Sequence, residues 1–487
     1  MKMKSILMGA TAALSLCALA RTFEVAAWRG ETVAARVPDF AELGKAPDGI
    51  TIRRGVLKSV KYAPKPDDLQ RLEVYDRVKW GAKKDDEGPR VVEVRVAEDA
   101  KPGVYDCGAM RIRVVDRVLP QPKDWKYFLD LWQHPWAVAR MEGVKPFSKK
   151  HYAAMRPVWK TLATAGQKTL TVTLVDQPWD HQCYDAYGSM IGRVKKADGS
   201  WAFDYSLFDE YVAFGRSCGL GPDIACYTMC PWGYVCRYQD EAGKTHAMTC
   251  NPGTPQFEDF WGAFLTDFAA HLKEKGWFGD TYIAMDERSP EDVMQIATFI
   301  QKKAPGMRIA MAGNRAPSDF KGITIDNYCQ ILGHVSTNFI AEAKARREQG
   351  YKTTYYVCCW PPYPNTFMTS GAGEAFWLGA FPGVCELDGF LRWAWNSWPQ
   401  NPEKDASFGT WTAGDTFLVY PDGSPSWRFL DLRNGIIAAE KLRILKERNL
   451  FTNEIAAVSA LYIEKEAMAN KSNFVKIREQ TLRVVNK

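Results

Sequence analysis

Two adjacent carboxylates, Asp286 and Glu287, follow a short apolar run at residues 282–285. The next segment, SPED at residues 289–292, is typical of the capped first turn of a helix. Acids placed where a buried strand gives way to a loop can donate and accept protons on a bound substrate. Most Asp-Glu pairs are solvated surface residues, so the fold around the pair decides between the two interpretations.

Adjacency also constrains the chemistry that such a pair can perform. Ordinary glycosidases place two acids on opposite faces of the scissile bond, about 5 Å apart for retention and about 6.5–9.5 Å apart for inversion. Neighbours at the end of one strand would lie along one side of the sugar, where one protonates the leaving oxygen and the other orients a substrate group. A 2-acetamido group fits, because its carbonyl oxygen can attack the anomeric carbon. The pair therefore favours substrate-assisted hydrolysis.

Eight short apolar or aromatic runs follow residue 120, most of them separated by segments with helical signals. The predicted strands are residues 127–133, 170–177, 224–229, 281–287, 308–314, 323–328, 353–359 and 390–396. This alternation predicts an α/β fold, a (β/α)8 TIM-type barrel, whose active site lies at the carboxyl ends of the strands. The gap between the fifth and sixth runs is too short for a good helix.

Helix signals support the barrel. Thr254 can cap a helix that has Pro255 in its first turn and ends at Gly276, with its apolar residues on one face. The last barrel helix is predicted from near Ser424 to beyond Leu445, and its Arg428 and Arg433 are expected to form structural ion pairs.

The segment before the barrel alternates apolar and polar residues, as in RVVEVRVAED at 90–99, which predicts a small antiparallel β-sandwich. The proline-rich stretch LPQPKDW after it is typical of a linker. The predicted division is a signal peptide at 1–20, a β-sandwich domain at 21–119, a (β/α)8 catalytic barrel at 120–448 and a helical tail at 449–487.

Aromatic and polar residues near the predicted strand ends suit a saccharide cleft, since flat rings meet C–H faces and amides or carboxylates meet hydroxyls. The candidate substrate-binding residues are Trp132, His134, Asn314, Tyr328, Trp360, Trp395 and Asp415. Additional loop aromatics that could stack on sugars are Trp179, Trp232, Tyr234 and Trp398. Each also has a structural alternative: His134 could be a core histidine, and Trp395 and Trp398 could pack against a helix.

The N-terminus predicts export. Lys2 and Lys4 precede an apolar stretch that ends in a small-x-small site at Ala20, which is typical of a cleaved signal peptide. A lipoprotein anchored through Cys17 is disfavoured, because Leu16 is larger than a lipobox normally allows. No later segment predicts a membrane span. Cleavage removes two lysines and lowers the formal charge from +6 to +4, too little to indicate a nucleic-acid partner.

Eleven cysteines remain after cleavage, so at least one has no partner within a monomer. Cys226, Cys230, Cys236 and Cys250 cluster in sequence, but their spacing is not the paired C-x-x-C of a zinc site. The adjacent Cys358 and Cys359 favour buried packing over a nucleophile, since no histidine stands near them in sequence. We therefore expect neither a metal nor another cofactor.

Four segments, in order, make the chain resemble glycoside hydrolase family 123, the β-N-acetylgalactosaminidases, over about residues 127–442. They are FLDLWQHPWAVAR (128–140), YIAMDE (282–287), RWAWNSWPQNP (392–402) and GDTFLVYPDGSPSWRFLDLRNGI (414–436). The resemblance implies a retaining exo-enzyme that acts on GalNAc-containing oligosaccharides or glycoconjugates through an oxazolinium intermediate. In it, Asp286 would orient the 2-acetamido group and Glu287 would act as general acid and then base.

Two other interpretations stay open from the sequence. The first keeps the enzyme and changes the substrate to another 2-acetamido hexose, which would make it a β-hexosaminidase. The second is a carbohydrate-binding barrel without activity, against which the retained acid pair argues. A redox or metal protein built on the cysteine cluster is the weakest alternative.

Overall fold

The computed structural model describes residues 23–37, 43–83, 85–463 and 470–487, so the predicted signal peptide lies outside the described residues. The first seven strands are β1 (Phe23–Arg29), β2 (Thr32–Val37), β3 (Ile50–Tyr62), β4 (Leu72–Trp80), β5 (Arg90–Val96), β6 (Gly103–Cys107) and β7 (Met110–Val118). They form two sheets, ordered β1-β7-β6 and β2-β5-β3-β4. Buried valines such as Val25, Val56 and Val92 pack between them, as in a sandwich. One pair departs from the predicted antiparallel pattern, because β1 runs parallel to β7.

The described residues that follow form twelve further strands. They are β8 (Phe128–Leu131), β9 (Thr169–Thr173), β10 (Gly192–Lys195), β11 (Trp201–Asp204), β12 (Asp223–Tyr227), β13 (Val235–Asp240), β14 (Thr245–Thr249), β15 (Thr281–Met285), β16 (Arg308–Gly313), β17 (Asn327–Ile331), β18 (Lys352–Tyr356) and β19 (Gly389–Arg392). Eight of them form one sheet ordered β8-β19-β18-β17-β16-β15-β12-β9, in which every paired neighbour is parallel. This confirms the predicted barrel.

The described helices lie mostly between the barrel strands, and the last two of them belong to the tail. They are α1 (Pro135–Glu142), α2 (Lys149–Ala163), α3 (Ser206–Ser217), α4 (Pro255–Glu274), α5 (Pro290–Lys303), α6 (Thr337–Glu348), α7 (Glu374–Cys385), α8 (Trp427–Glu447), α9 (Thr452–Ile463) and α10 (Asn473–Val485). The Thr254 and Ser289 side chains cap α4 and α5 as predicted, by accepting from backbone N–H groups three residues on. Among the described helices, none is long and apolar enough to cross a membrane.

Two features of the barrel differ from the expected pattern or refine it. The sixth strand is Asn327–Ile331 and not residues 323–328, so Tyr328 lies near its beginning and not at its carboxyl end. Between β16 and β17 there is only a single 3-10 turn, Pro317–Asp319, as the short gap in sequence indicated. The sequence-based prediction missed the four-stranded sheet β11-β10-β13-β14, whose strands leave the barrel after β9 and β12.

Helix α8 fastens the sandwich to the barrel, and its two arginines form the ion pairs that the sequence predicted. Arg428 pairs with Asp76 of β4 at 3.1 Å, and Arg433 pairs with Glu93 of β5 at 2.7 Å. Asp76 also accepts a hydrogen bond from the Tyr420 hydroxyl at 2.8 Å. These buried contacts give the last barrel helix a fixed position on the sandwich.

The barrel closes between β8 and β9 mainly through the side chains of two fully buried glutamines, Gln133 and Gln167. Gln167 Oε1 accepts from the Leu131 N–H at 3.0 Å, and its Nε2 donates to the Leu131 and Thr169 carbonyls at 3.2 and 2.8 Å. Gln133 Oε1 accepts from the Thr171 N–H at 2.9 Å. Side-chain amides therefore satisfy backbone groups that a normal strand ladder would pair.

Replacement of Gln167 by leucine should leave the buried Leu131 N–H without its acceptor, whereas the Leu131 carbonyl keeps its bond from Gln133. We expect Gln167→Leu to lower the free energy of unfolding by about 1–3 kcal/mol, measured by chemical denaturation. Gln301→Leu, the same change at an exposed position of α5, should stay within about 0.5 kcal/mol of the parent. Equal denaturation midpoints for the two variants would show that the Gln167 amide does not stabilise the contact between β8 and β9.

Candidate active site

A cavity of about 180 Å³ opens at the carboxyl ends of the barrel strands. It is lined by Trp132, Gln182, Trp232, Asp286, Glu287, Ala312, Tyr356, Cys358, Cys359, Leu391, Trp393, Trp411 and Asp415. Larger cavities lie elsewhere, among them one of about 430 Å³ at the opposite end of the barrel, where Tyr127 and Asp388 precede their strands. The smaller cavity is the candidate active site, because it alone of these two contains the carboxylate pair at the chemically used end of the barrel.

Asp286 is the first residue after β15 and is half-buried in the cavity wall. The Trp232 indole N–H donates to its Oδ2 at 3.3 Å. Burial raises the pKa of Asp286 to about 6, and the neighbouring charge of Glu287 acts in the same direction. Hydrogen bonds from the Glu287 backbone and from Trp232 oppose that rise. At neutral pH the group is therefore mainly a carboxylate that can accept a further hydrogen bond.

Glu287 is held by Tyr356, the last residue of β18. The Tyr356 hydroxyl donates to Glu287 Oε1. Burial raises the pKa of Tyr356 above its usual value, as do the charge of Glu287 and the hydrogen bond to it. The phenol consequently keeps its proton and remains a donor, which leaves the other Glu287 oxygen available for proton transfer to a ligand.

Arg288, the residue after the two acids, positions Trp232. The Arg288 guanidinium lies 4.5 Å from the centre of the Trp232 ring, and its Nε donates to the Cys230 carbonyl at 3.0 Å. A cation stacked on an aromatic face and tied to the backbone restricts the ring to one orientation. Residues 286–288 thus provide both acids and the arginine that orients Trp232, the hydrogen-bond donor to Asp286.

A third carboxylate, Asp415, faces the cavity from the other side. Its Oδ1 accepts from Arg392 Nη2 at 2.7 Å and from the Trp393 indole at 3.0 Å. Both members of the ion pair are fully buried. Burial raises the pKa of Asp415, and the Arg392 charge opposes the rise. Oδ2 has no partner within the described part of the chain and is itself buried from solvent.

Aromatic and small residues fill the barrel below the cavity. The Trp132 ring stacks on Trp179 at 4.9 Å and contacts Tyr227 at 4.5 Å between ring centres. Alanines at 225, 284, 310 and 312 lie in the same buried cluster, and Ala312 also lines the cavity. Trp132, which these neighbours bury almost completely, lines the cavity from within the barrel.

Comparison with known proteins agrees with this geometry. The catalytic-domain model of glycoside hydrolase 123 matches residues 132–445, which is more than half of the chain. The chain belongs to glycoside hydrolase family 123.

A solved structure of a family 123 enzyme shows the same architecture over nearly the whole chain. A family 123 glycoside hydrolase from Clostridium perfringens, studied for glycolipid glycan hydrolysis, is 24% identical with a TM-score of 0.81, and the match covers 96% of this chain and 93% of that one. A GH10 xylanase from termite gut with a bacterial Ig-like domain is 11% identical with a TM-score of 0.36, covering 87% and 100%. An exo-β-1,4-mannosidase from Opitutaceae bacterium strain TAV5 is 12% identical with a TM-score of 0.38, covering 66% and 60%. Comparison with curated proteins gives no match.

Of the nine site residues predicted from sequence, four line the cavity of this family 123 enzyme: Asp286, Glu287, Trp132 and Asp415. His134 does not, because its ring is fully buried and stacks on Tyr187 at 3.6 Å. Burial lowers the pKa of His134 to about 3, so the imidazole is neutral, and its Nε2 lies 3.0 Å from the Asp185 carbonyl oxygen. These contacts are those of a core histidine.

Two more predicted ligand contacts are core residues. Tyr328 is fully buried, and its hydroxyl donates to the Arg315 carbonyl, because the sixth strand begins later than predicted. Trp395 is fully buried and packs edge-on against Phe429 of α8 at 4.7 Å. Neither side chain lines the cavity, so both predictions of ligand contact are corrected to packing roles.

The last two candidates lie on the rim. Asn314 is exposed, and its carbonyl oxygen lies 2.6 Å from His334 Nδ1. Trp360 is 45% exposed, and its ring lies against Gly333, where an added Cβ would come within 1.6 Å of it. Both residues follow barrel strands, yet neither lines the cavity.

The loop aromatics divide in the same way. Trp232 contacts Asp286, whereas Trp179 lies behind Trp132 in the barrel. The Trp398 indole donates to the Val419 carbonyl at 2.6 Å in the core, and the Tyr234 hydroxyl donates to Asp292 at 3.0 Å. Of these four, Trp232 is the one in the cavity wall.

Sequence analysis missed several cavity residues, namely Gln182, Tyr356, Trp393 and Trp411. Strand periodicity could have identified two of them. Leu391 faces the barrel interior, so Trp393, two residues on, continues the same face. Tyr356 is two residues before Cys358 and therefore lies on the same face of the strand, and both residues line the cavity. Cys359 lines it as well, although the two cysteines were predicted to be buried packing residues. Gln182 and Trp411 lie on long loops without a sequence signal.

The buried pair Arg392–Asp415 provides a test of how the cavity wall is held. Arg392→Met leaves a carboxylate without its cation in the interior, so we expect the free energy of unfolding to fall by about 3–5 kcal/mol, measured by chemical denaturation. Adding Asp415→Asn should recover much of that loss, because the amide is neutral and its oxygen can still accept from Trp393.

The exposed pair Arg111–Asp106 is the matched control, since these side chains are 45% and 71% exposed. Arg111→Met should change the denaturation midpoint little. A double variant Arg392→Met/Asp415→Asn that is no more stable than Arg392→Met would contradict the assignment of the loss to an unpaired charge.

Proposed function

We propose that this family 123 enzyme is a retaining exo-glycosidase that hydrolyses terminal β-linked N-acetylgalactosamine, with the 2-acetamido group of the substrate as the nucleophile. The observation that carries the proposal is the position of Asp286 and Glu287, consecutive residues on one side of a small cavity. In an ordinary double-displacement mechanism the enzyme supplies a nucleophile across the sugar from the acid. Here the adjacent carboxylate suits a partner for the substrate's own nucleophile.

Asp286 accepts the N–H of the acetamido group and directs its carbonyl oxygen toward the anomeric carbon. As that oxygen attacks, positive charge develops on the amide nitrogen, and a carboxylate in a half-buried site stabilises it. The Trp232 indole fixes one oxygen of Asp286, so the other is oriented toward the ligand. The carboxylate form is the active form in this role.

Glu287 donates a proton to the leaving glycosidic oxygen and then removes one from the water that opens the oxazolinium ring. Tyr356 holds one oxygen of Glu287 throughout, because its phenol keeps its proton. The incoming water approaches from the side that the leaving group vacates. Two inversions at the anomeric carbon give overall retention.

The shape of the cavity supports exo action on a single terminal sugar. Its volume is about 180 Å³, and Trp132 is among its lining residues. Trp393 and Trp411 offer ring surfaces in the cavity wall, and the buried Asp415 Oδ2 is an acceptor without a partner among the described residues. The Clostridium perfringens relative, studied for glycolipid glycan hydrolysis, supports a glycoconjugate as the natural substrate.

Export is also proposed. It rests on residues 1–20, which have the charge, apolar stretch and small-residue site of a signal peptide, with cleavage near Ala20.

Substitution of either acid tests the assigned roles. On nitrophenyl β-N-acetylgalactosaminide we expect Asp286→Asn to lower kcat by about 10²–10³-fold, because charge stabilisation is lost. On a natural oligosaccharide Glu287→Gln should lower kcat by about 10²–10⁴-fold, because a poor leaving group needs the proton. Glu291→Gln, an exposed glutamate in the first turn of α5, is the control and should retain activity.

Substrate comparison separates the alternatives. The nitrophenyl β-galactoside lacks the acetamido group and should not be turned over, and a GalNAc-thiazoline should inhibit competitively. Faster turnover of the N-acetylglucosaminide than of the N-acetylgalactosaminide would show that the enzyme acts on another 2-acetamido hexose. Turnover of the galactoside without turnover of either acetamido sugar would reject the substrate's amide as nucleophile. Binding without hydrolysis, unchanged in Glu287→Gln, would indicate a carbohydrate-binding protein.

The pH dependence tests the ionisation of Asp286. Since its folded-state pKa is about 6 and the ionised form is active, kcat/KM should rise with pH through about 6. Trp232→Phe removes a donor to the carboxylate, so the pKa should increase and the acidic limb should move to higher pH.

Trp201→Phe is the matched control, because that indole also donates to a carboxylate, Asp259, at 3.2 Å but outside the cavity. Its acidic limb should coincide with that of the parent. An identical limb in Trp232→Phe, or a fall in kcat/KM as pH rises through 6, would show that another group controls this ionisation.

A further inference from the structure

Two thiols lie side by side in the cavity wall, on the loop that follows β18. The Cys358 and Cys359 sulfurs are 3.9 Å apart, and both residues line the cavity together with Asp286 and Glu287. Cys358 is half-buried and Cys359 is exposed. The mechanism proposed above uses neither of them.

This pair differs from the other cysteines in accessibility. Among the described residues, the remaining free cysteines are Cys107, Cys183, Cys218, Cys226, Cys230, Cys236, Cys250, Cys329 and Cys385, and all are buried except Cys183, which is half-buried. Burial raises the pKa of the Cys183 thiol to about 12, so it remains protonated. Cys359 is accordingly the described thiol most open to a reagent in solvent.

The loop holds the two sulfurs in a fixed relation. The Cys358 N–H donates to the Trp360 carbonyl at 3.2 Å, and Asn365 Nδ2 donates to the Cys358 and Pro361 carbonyls at 3.0 and 2.7 Å. Asn365 Oδ1 in turn accepts from the buried Arg392 at 3.2 Å. The thiols are thus tied to the same arginine that orients Asp415.

The two thiols also differ in acidity. The Cys358 S–H can donate to Cys359, which lowers the pKa of Cys359 against the opposing effects of burial and of the Asp415 and Glu287 charges. The pKa of Cys358 is raised, first by its hydrogen bond with Cys359 and then by burial. A nucleophilic thiol therefore has a second sulfur ligand within reach.

We propose that Cys358 and Cys359 form a bidentate site for thiophilic trivalent arsenic compounds, and that an occupied site blocks the glycan cavity. With phenylarsine oxide, the arsenic–oxygen bond is replaced by two arsenic–sulfur bonds, and the two thiol protons leave with the oxygen as one water molecule. No atom changes oxidation state. The blocking effect rests on the proposed function, whereas the binding does not.

The experiment uses phenylarsine oxide on the full-length protein and measures the bound adduct by intact mass spectrometry under native conditions. We expect one adduct per chain, which a dithiol such as 2,3-dimercaptopropanol removes and an equimolar monothiol leaves in place. Cys358→Ser and Cys359→Ser should each abolish the dithiol-reversible adduct, because one sulfur cannot chelate. Cys218→Ser, a buried cysteine at the end of α3, is the control and should bind like the parent.

Activity gives a second, separable readout. Turnover of the nitrophenyl β-N-acetylgalactosaminide should fall in proportion to adduct occupancy and return after dithiol treatment. If the protein binds the arsenical but shows no turnover of this substrate before treatment, the proposed function is contradicted and the proposed thiol site is not. No adduct on the native parent, or an adduct that persists in both serine variants, would overturn the site.

Discussion

Closure of the parallel sheet between β8 and β9 is the constraint on which the cavity depends. The strands share one isolated backbone bridge, Leu129–Gln167, and the Gln133 and Gln167 amides satisfy further backbone groups along the seam. Because the sheet closes there, β8 lies three strands from β15 around the barrel, and not five. Closure therefore brings the Trp132 ring into the same small cavity as the two adjacent acids.

Three carboxylates share that cavity, and each is held by a different kind of donor. An indole donates to Asp286, a phenol to Glu287 and a guanidinium to Asp415. Only the last donor carries a charge, so Asp415 is compensated while the adjacent pair keeps its mutual repulsion. This difference separates a carboxylate that is fixed by an ion pair from two adjacent acids whose hydrogen-bond donors are neutral.

The sequence predicts the barrel and the acid pair well, because both depend on local patterns. Alternation of apolar runs and capped helices locates strands to within a few residues, and residues at the carboxyl ends of parallel strands must converge. Tyr328 shows the limit, since an error of four residues at the start of the sixth strand placed a core residue at the cavity. Gln182 and Trp411 show another limit. The Trp411 indole N–H donates to the Gln182 carbonyl at 2.9 Å, but the two residues are 229 positions apart in the chain, so no local pattern predicts that they are neighbours.

The sandwich contributes to the site only indirectly. Every described residue that lines the cavity lies in the range from Trp132 to Asp415, inside the segment that matches the family 123 catalytic domain. The sandwich instead contacts α8, through Asp76 and Glu93. The Arg428 side chain, which pairs with Asp76, also donates to the carbonyls of Gly414 and Phe417 on either side of Asp415. The sandwich thereby anchors α8, and Arg428 of α8 fixes the loop that contains Asp415. Loss of the Arg428–Asp76 pair would therefore affect the cavity by moving the backbone of this loop, and not by removing a ligand contact.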